Sequence, residues 1–242
     1  MDRCVLLLFS MVLSFYSFGQ TLEVSDADVS YTEFTSSLQT LGGLSNNHMR
    51  GSSFIFIRNL REVDGSVHVF KKWDNKGIVI VDEEQKFSID NINFNALSNQ
   101  IESKIDESKV YIFDFNFVED IFINNRRFSS YKLHGDNRVF EVIYSDNSFS
   151  ILKDYKASIK KKDPDPLMLT QHKEEHIIKS KLYVIRNGNF EKFKFSKRNF
   201  LNQFDKSSKN DIQKFIKENK LSLKDPYHMR DIAKYAMSLQ TK

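Results

Sequence analysis

The chain has 242 residues and a net charge of +4, with 36 Lys and Arg against 32 Asp and Glu. So small an excess of basic residues argues against a nucleic-acid partner, which requires a concentrated basic face. One cysteine excludes an internal disulfide, and the low content of glycine (8) and proline (3) argues against a disordered or linker-rich chain.

The N-terminus has the pattern of a secretory signal. Arg3 supplies a positive charge, residues 4–18 are apolar or serine, and Gly19 follows. The apolar run is short for a membrane-spanning helix, which needs about 20 residues. We therefore predict a signal peptide over residues 1–19 and export to the periplasm, the outer-membrane surface or the medium. An uncleaved anchor helix is the alternative. Because Cys4 precedes the apolar run, the pattern does not predict a lipoprotein.

Residues 20–51 form a polar lead-in, and residues 52–195 have the pattern of an antiparallel β domain. Runs rich in Ile, Val, Phe and Tyr recur roughly every eight to twelve residues, with turn residues such as Asn187 and Gly188 between them. Predicted strands cover residues 54–57, 67–73, 77–81, 86–89, 92–97, 100–105, 109–115, 120–123, 127–133, 138–144, 148–152, 156–160, 181–186 and 190–195.

Side-chain alternation in these runs favours strands with one buried and one wet face. In residues 140–144, for example, Phe140, Val142 and Tyr144 are bulky and the residues between them are expected to face the other way. The prediction is a mainly β fold, an antiparallel meander that forms a curved sheet, a barrel-like domain or a sandwich. Two or three short C-terminal helices follow it.

The hydrophobic period changes from two to 3.6 in the C-terminal segment, residues 196–242. Ser208 and Asp211 have the spacing of a capping box, and Asp225 followed by Pro226 is typical of a helix start. Such short helices are unstable alone in water, so we expect them to pack on each other or on the sheet.

Several short motifs resemble those of a family of uncharacterised exported proteins common in flavobacteria. The motifs are residues 73–77, 89–95, 140–142 and 152–155, together with the Phe-Gly-Gln sequence at the end of the signal. The resemblance covers residues 51–223. It implies an envelope location and a β domain with helices, and it implies no particular chemistry.

The sharpest chemical pattern is H-x-x-E-H at residues 172–176. On a helix, His172 and His176 could share a zinc ion while Glu175 acts as general base. A charged surface segment that happens to contain two histidines is the favoured interpretation, because the segment lies in the loop expected after Pro166 and extending to about residue 179. No serine-hydrolase motif or glycine-rich phosphate loop occurs. The sequence therefore predicts no catalytic residue and no cofactor.

Three functions remain open from the sequence. The favoured one is an exported, non-enzymatic β-rich protein that binds an envelope protein, a glycan or an apolar ligand, without a membrane span in the mature chain. The alternatives are a zinc-dependent hydrolase using His172, Glu175 and His176, and an outer-membrane β-barrel. The short predicted strands disfavour the barrel.

Overall fold

A computed structural model of the protein describes residues 53–56, 63–81, 86–160, 174–194 and 196–240, all within one compact unit. The predicted signal peptide and lead-in lie outside the described residues. The described chain is mainly β with three short C-terminal helices, which confirms the predicted fold class.

Thirteen strands lie in the described part of the chain. They are β1 (Ser53–Phe56), β2 (Asp64–Gly65), β3 (Lys76–Ile80), β4 (Lys86–Asp90), β5 (Ile92–Asn95), β6 (Gln100–Lys104), β7 (Lys109–Ile112), β8 (Asp120–Ile123), β9 (Arg126–Leu133), β10 (Asp136–Ser145), β11 (Phe149–Lys160), β12 (Glu175–Arg186) and β13 (Asn189–Phe193).

The larger sheet curls into a half-barrel. Its order is β13, β12, β11, β10, β9, β8, β3 and β4, and β2 pairs in parallel with the start of β12. Strands β8 to β13 are neighbours in chain order and form the predicted meander. Their tightest turns use residues with positive φ, including Asn124, His134 and the predicted pair Asn187 and Gly188.

A smaller antiparallel sheet has the order β1, β7, β6 and β5. Asn91 lies between β4 of the larger sheet and β5 of the smaller one, with a φ of 53°. Asn tolerates this left-handed backbone better than most side chains do. The chain therefore changes sheets within one residue.

Three helices complete the fold: α1 (Lys197–Leu201), α2 (Lys206–Glu218) and α3 (Pro226–Ser238). Asp225 caps α3 as predicted, because its carboxylate accepts hydrogen bonds from the backbone N–H groups of Tyr227 and His228. The predicted capping box is wrong: α2 begins at Lys206, so Ser208 lies inside its first turn and is buried.

One face of the larger sheet, the inner face, contributes to two cores. In the first core, Ile121 and Phe128 pack with Phe94 and Ile101 of the smaller sheet. In the second core, residues near the β10–β11 turn pack with the helices; they include Phe149, Ile151, Phe200, Ile212 and Ile232. The junction between the two cores lies on β10 and β11.

Three corrections apply to the predicted strands. Residues 67–73 form only a single bridge, between His68 and Asn95, because the side-chain amide of Asn93 bonds to both backbone groups of Phe70. Residues 149–152 and 156–160, predicted as parts of two strands, belong to one continuous strand, β11, and Ser148 lies before it. Strand β12 begins at Glu175, in a stretch expected to be a loop.

Candidate functional site

A cleft of about 950 Å³ lies between the larger sheet and the helical segment. Its apolar surface on the sheet side comes from Ile143, Leu182 and Phe193, and Ile216 of α2 and Met229 of α3 lie on the helix side. This volume is in the range of small-molecule sites, roughly 300–1,000 Å³.

The polar surface of this cleft is cationic. None of its described lining residues is Asp or Glu, and six are lysines: Lys153, Lys181, Lys192, Lys194, Lys197 and Lys224. Five of these lysines are exposed, whereas the side chain of Lys153 is only 23% exposed. The cleft, named here the lysine cleft, therefore combines an apolar floor with positive charge.

A group of buried and half-buried polar side chains lies beside Lys153 and forms, with it, the charge cluster: Arg126, Glu141, Lys153 and Tyr155. Nε and Nη2 of Arg126 donate to the two carboxylate oxygens of Glu141, at 2.8 and 2.9 Å. Nη2 also donates to the hydroxyl of Tyr155, and that hydroxyl donates to Oε2 of Glu141. Glu141 is 3% exposed and Tyr155 is 6% exposed, so these bonds are sheltered from water.

Burial and mutual contact shift the pKa values of residues in the charge cluster. Burial and the charge of Glu141 raise the pKa of the Tyr155 hydroxyl far above its ordinary value, so Tyr155 stays neutral. Burial opposes the charge on Arg126, but the hydrogen bonds and charge of Glu141 outweigh it and raise the pKa of Arg126. Arg126 therefore remains a cation and Glu141 is its partner.

Lys153 is the member of the charge cluster that reaches the cleft. Its Nζ lies 4.0 Å from Oε2 of Glu141, beyond hydrogen-bond distance, and 5.0 Å from the centre of the Tyr155 ring. Burial lowers the pKa of Lys153; Glu141 acts in the opposite direction and Arg126 in the same one. The positive charge of Lys153 is therefore less well neutralised than the charge of a surface lysine in a close ion pair.

Strand register brings the cleft and the cluster together. Glu141 of β10 pairs with Lys153 of β11, Lys153 pairs with Leu182 of β12, and Leu182 pairs with Phe193 of β13. Directly paired residues project from the same face of a sheet. The row therefore runs on the inner face from a buried carboxylate, through an amine, to two apolar side chains.

The charge cluster forms where the pairing of β10 with β11 ends. Their ladder ends at the pair of Glu141 and Lys153. Beyond it, the side-chain amide of Asn99 accepts from the backbone N–H of Val139 at 2.9 Å and donates to its carbonyl at 3.0 Å. The turn after β5 therefore takes the place of a neighbouring strand, and Ala157 of β11 donates to the carbonyl of Ala96 in the same turn.

Alternation alone did not identify Glu141 as a site residue. The pattern placed Phe140 and Val142 on the buried face and their neighbours on the wet face. In the structure both faces of β10 are buried around Glu141. The available signal was the pair of apolar residues that share its face, Val139 and Ile143.

The motifs at residues 73–77 and 89–95 have structural roles. The side-chain amide of Asn93 donates to the carbonyls of Phe70 and Lys72, and that of Asn75 donates to the carbonyls of Lys72 and Ile92. These bonds fix the loop before β3 against β5. The motifs at residues 140–142 and 152–155 contain three of the four members of the charge cluster.

Two of the candidate zinc residues lie on strand β12. Glu175 and His176 are adjacent residues of β12, paired with Lys160 and Ile159, and adjacent strand residues point to opposite faces. His172 lies outside the described residues. Among the residues that the structure describes, no group of three His, Cys, Asp or Glu side chains is placed to hold a metal ion.

Comparisons of the chain with protein families, with curated proteins and with solved structures found no match. Within the described residues, no helix is long and apolar enough to cross a membrane.

Proposed function

We propose that this chain is an exported, non-enzymatic binding protein and that the lysine cleft is its binding site. The observation that carries this proposal is the cleft itself, an apolar-floored space of about 950 Å³ between the sheet and the helices. Of the partners considered from the sequence, an apolar ligand fits best, because hydrophobic side chains line both walls.

The arrangement of the charge cluster favours binding over turnover. The carboxylate of Glu141 accepts hydrogen bonds from Arg126 and Tyr155, and both donors are held by it. The carboxylate of Glu141 and the hydroxyl of Tyr155 are therefore engaged with each other and with Arg126. Lys153 is the member that faces the cleft, where a charge orients a ligand.

A neutral fluorescent dye such as Nile red tests the binding site. We expect its fluorescence to rise with the chain lacking residues 1–19, because the dye needs only an apolar surface. Ser180 and Lys179 are adjacent on β12, and Ser180 lines the cleft whereas Lys179 does not. Ser180→Trp fills the cleft and should weaken dye binding, while Lys179→Trp should leave it unchanged. Equal binding by both variants would place the dye elsewhere and refute the assignment.

Export is part of the proposal and rests on the N-terminal pattern. N-terminal sequencing of the protein from its own cells should begin at Gln20, and cell fractionation should place it outside the cytoplasm. A protein that retains Met1 and is found in the cytoplasmic fraction would contradict export. Dye binding tests the cleft independently of that result.

A further inference from the structure

The charges around the lysine cleft are unbalanced. Within the charge cluster, two cations, Arg126 and Lys153, face one carboxylate, that of Glu141, so one positive charge remains while Tyr155 stays neutral. None of the five other lysines of the cleft forms a close ion pair with a described residue. An apolar ligand without charge would leave this excess uncompensated.

The position of the excess charge limits what it can bind. Exposed lysines at the rim are screened by salt, and each contributes little to the binding of an anion. Lys153 differs because its side chain is 23% exposed and burial lowers its pKa. An anion seated here would gain a less screened interaction than one at the rim.

The floor beside Lys153 indicates the shape of the ligand. Neighbouring strands lie about 5 Å apart, so Leu182 is roughly 5 Å and Phe193 roughly 10 Å from the strand that carries Lys153. Apolar side chains thus continue in one direction from the amine, with Ile216 and Met229 on the helix side. A head group at Lys153 would place an attached chain along this row.

We infer that the ligand is a single-chain amphiphile with an anionic head, which pairs with Lys153 while its apolar chain lies against Leu182 and Phe193. This inference rests on the proposed function and adds the ligand class and its anchor. A carboxylate and a phosphate monoester share the required chemistry. Free fatty acids and lipid-derived phosphates are the two sources.

Three ligands with the same ten-carbon chain test the inference: decanoate, decyl phosphate and decanol. The affinity of each ligand is measured by displacement of Nile red, below the concentration at which the ligand itself aggregates. We expect decanoate or decyl phosphate to bind the chain about tenfold or more tightly than decanol, as is typical of one charge-assisted hydrogen bond. The stronger of the two anions identifies the source.

Variants of Lys153 assign the anchor. Lys153→Met should remove the preference for the anion and leave decanol binding within about twofold. Lys153→Arg keeps the charge and should retain the preference. Lys192→Met, a rim control, should change anion binding by less than about threefold. The preference should also weaken as pH rises, at a pH below the ordinary lysine range, because the pKa of Lys153 is lowered.

The outcomes separate this inference from the proposed function. If neither Nile red nor any ten-carbon ligand binds, the proposed function fails. If decanol binds as tightly as the anions, the site is a neutral apolar one and the inference alone is overturned. An equal loss in Lys153→Met and Lys192→Met, or a preference that Lys153→Arg does not retain, overturns the assignment of Lys153 as anchor.

Discussion

Replacing Glu141 by Gln tests whether the charge cluster is a linked, buried unit. The variant keeps the side-chain shape but removes the only carboxylate in the cluster. Arg126 and Lys153, each 23% exposed, would then repel each other without a carboxylate between them. Removing one partner of a buried ion pair costs about 3–5 kcal/mol. We expect about 3 kcal/mol here, since partial exposure lets water reach both cations.

Urea unfolding measured by the fluorescence of Trp73, the single tryptophan, gives this free energy. Glu107→Gln is the matched control, because Glu107 is 95% exposed and pairs with Lys104 at the surface. That control should lose less than about 0.5 kcal/mol. Equal losses in the two variants would show that burial does not strengthen the interaction of Glu141.

A double-mutant cycle with Arg126→Met completes this test. If the two side chains act as one unit, the double variant loses less free energy of unfolding than the sum of the two single variants. The expected difference is about 1–3 kcal/mol. Additive losses would mean that the bidentate contact of Arg126 with Glu141 is energetically unimportant, and would refute the reasoning.

Three further variants test contacts that stabilise the fold, and the free energy of unfolding of each is measured with urea. Gly77→Ala should destabilise by about 1–3 kcal/mol, because an added Cβ would lie 2.8 Å from Cγ2 of Ile92; an unchanged midpoint would contradict this packing. Asn99→Gly keeps the positive φ but removes both hydrogen bonds to Val139, and should cost about 1–3 kcal/mol; a neutral result would mean that water replaces the amide. Asp225→Ala should cost about 1 kcal/mol through loss of the α3 cap, and Asp225→Asn should recover most of it.

The β domain and the C-terminal helices could be predicted because each depends on the local periodicity of hydrophobic residues. Asn187 and Gly188 were recognised as a hairpin turn from their own conformational preferences, and Asp225 as a cap from its position before Pro226. Residues 67–73 misled the same reasoning, because their alternation matches a strand. Their backbone bonds go to the amide of Asn93 instead of to a regular ladder.

The charge cluster could not be predicted in this way, because its members meet only through register. Arg126, Glu141 and Tyr155 lie on three different strands, and a shift of one residue would turn any of them to the other face. The end of the β10–β11 ladder depends in turn on Asn99, which lies 40 residues before Val139. No local pattern reports such a contact.

The stability of the Lys153→Met variant distinguishes a binding role of Lys153 from a structural role. The two roles predict changes in the free energy of unfolding of opposite sign. Since burial lowers its pKa, the charged form of Lys153 is less favourable in the folded state than in the unfolded state. This penalty is fully present below the folded-state pKa and disappears as the pH rises to the ordinary lysine value. Without ligand, Lys153→Met should therefore be at least as stable as the unchanged chain at neutral pH, with any gain shrinking as the pH rises.

A group kept for ligand binding at the expense of stability behaves in this way. Decanoate should then stabilise the unchanged chain against urea more than it stabilises the Lys153→Met variant, because stabilisation by a ligand grows with its affinity for the folded state. If Lys153 were instead a structural partner of Glu141, its removal would destabilise the protein by about 1 kcal/mol or more at neutral pH. Such a loss, with no ligand present, would contradict the assignment of Lys153 to the binding site.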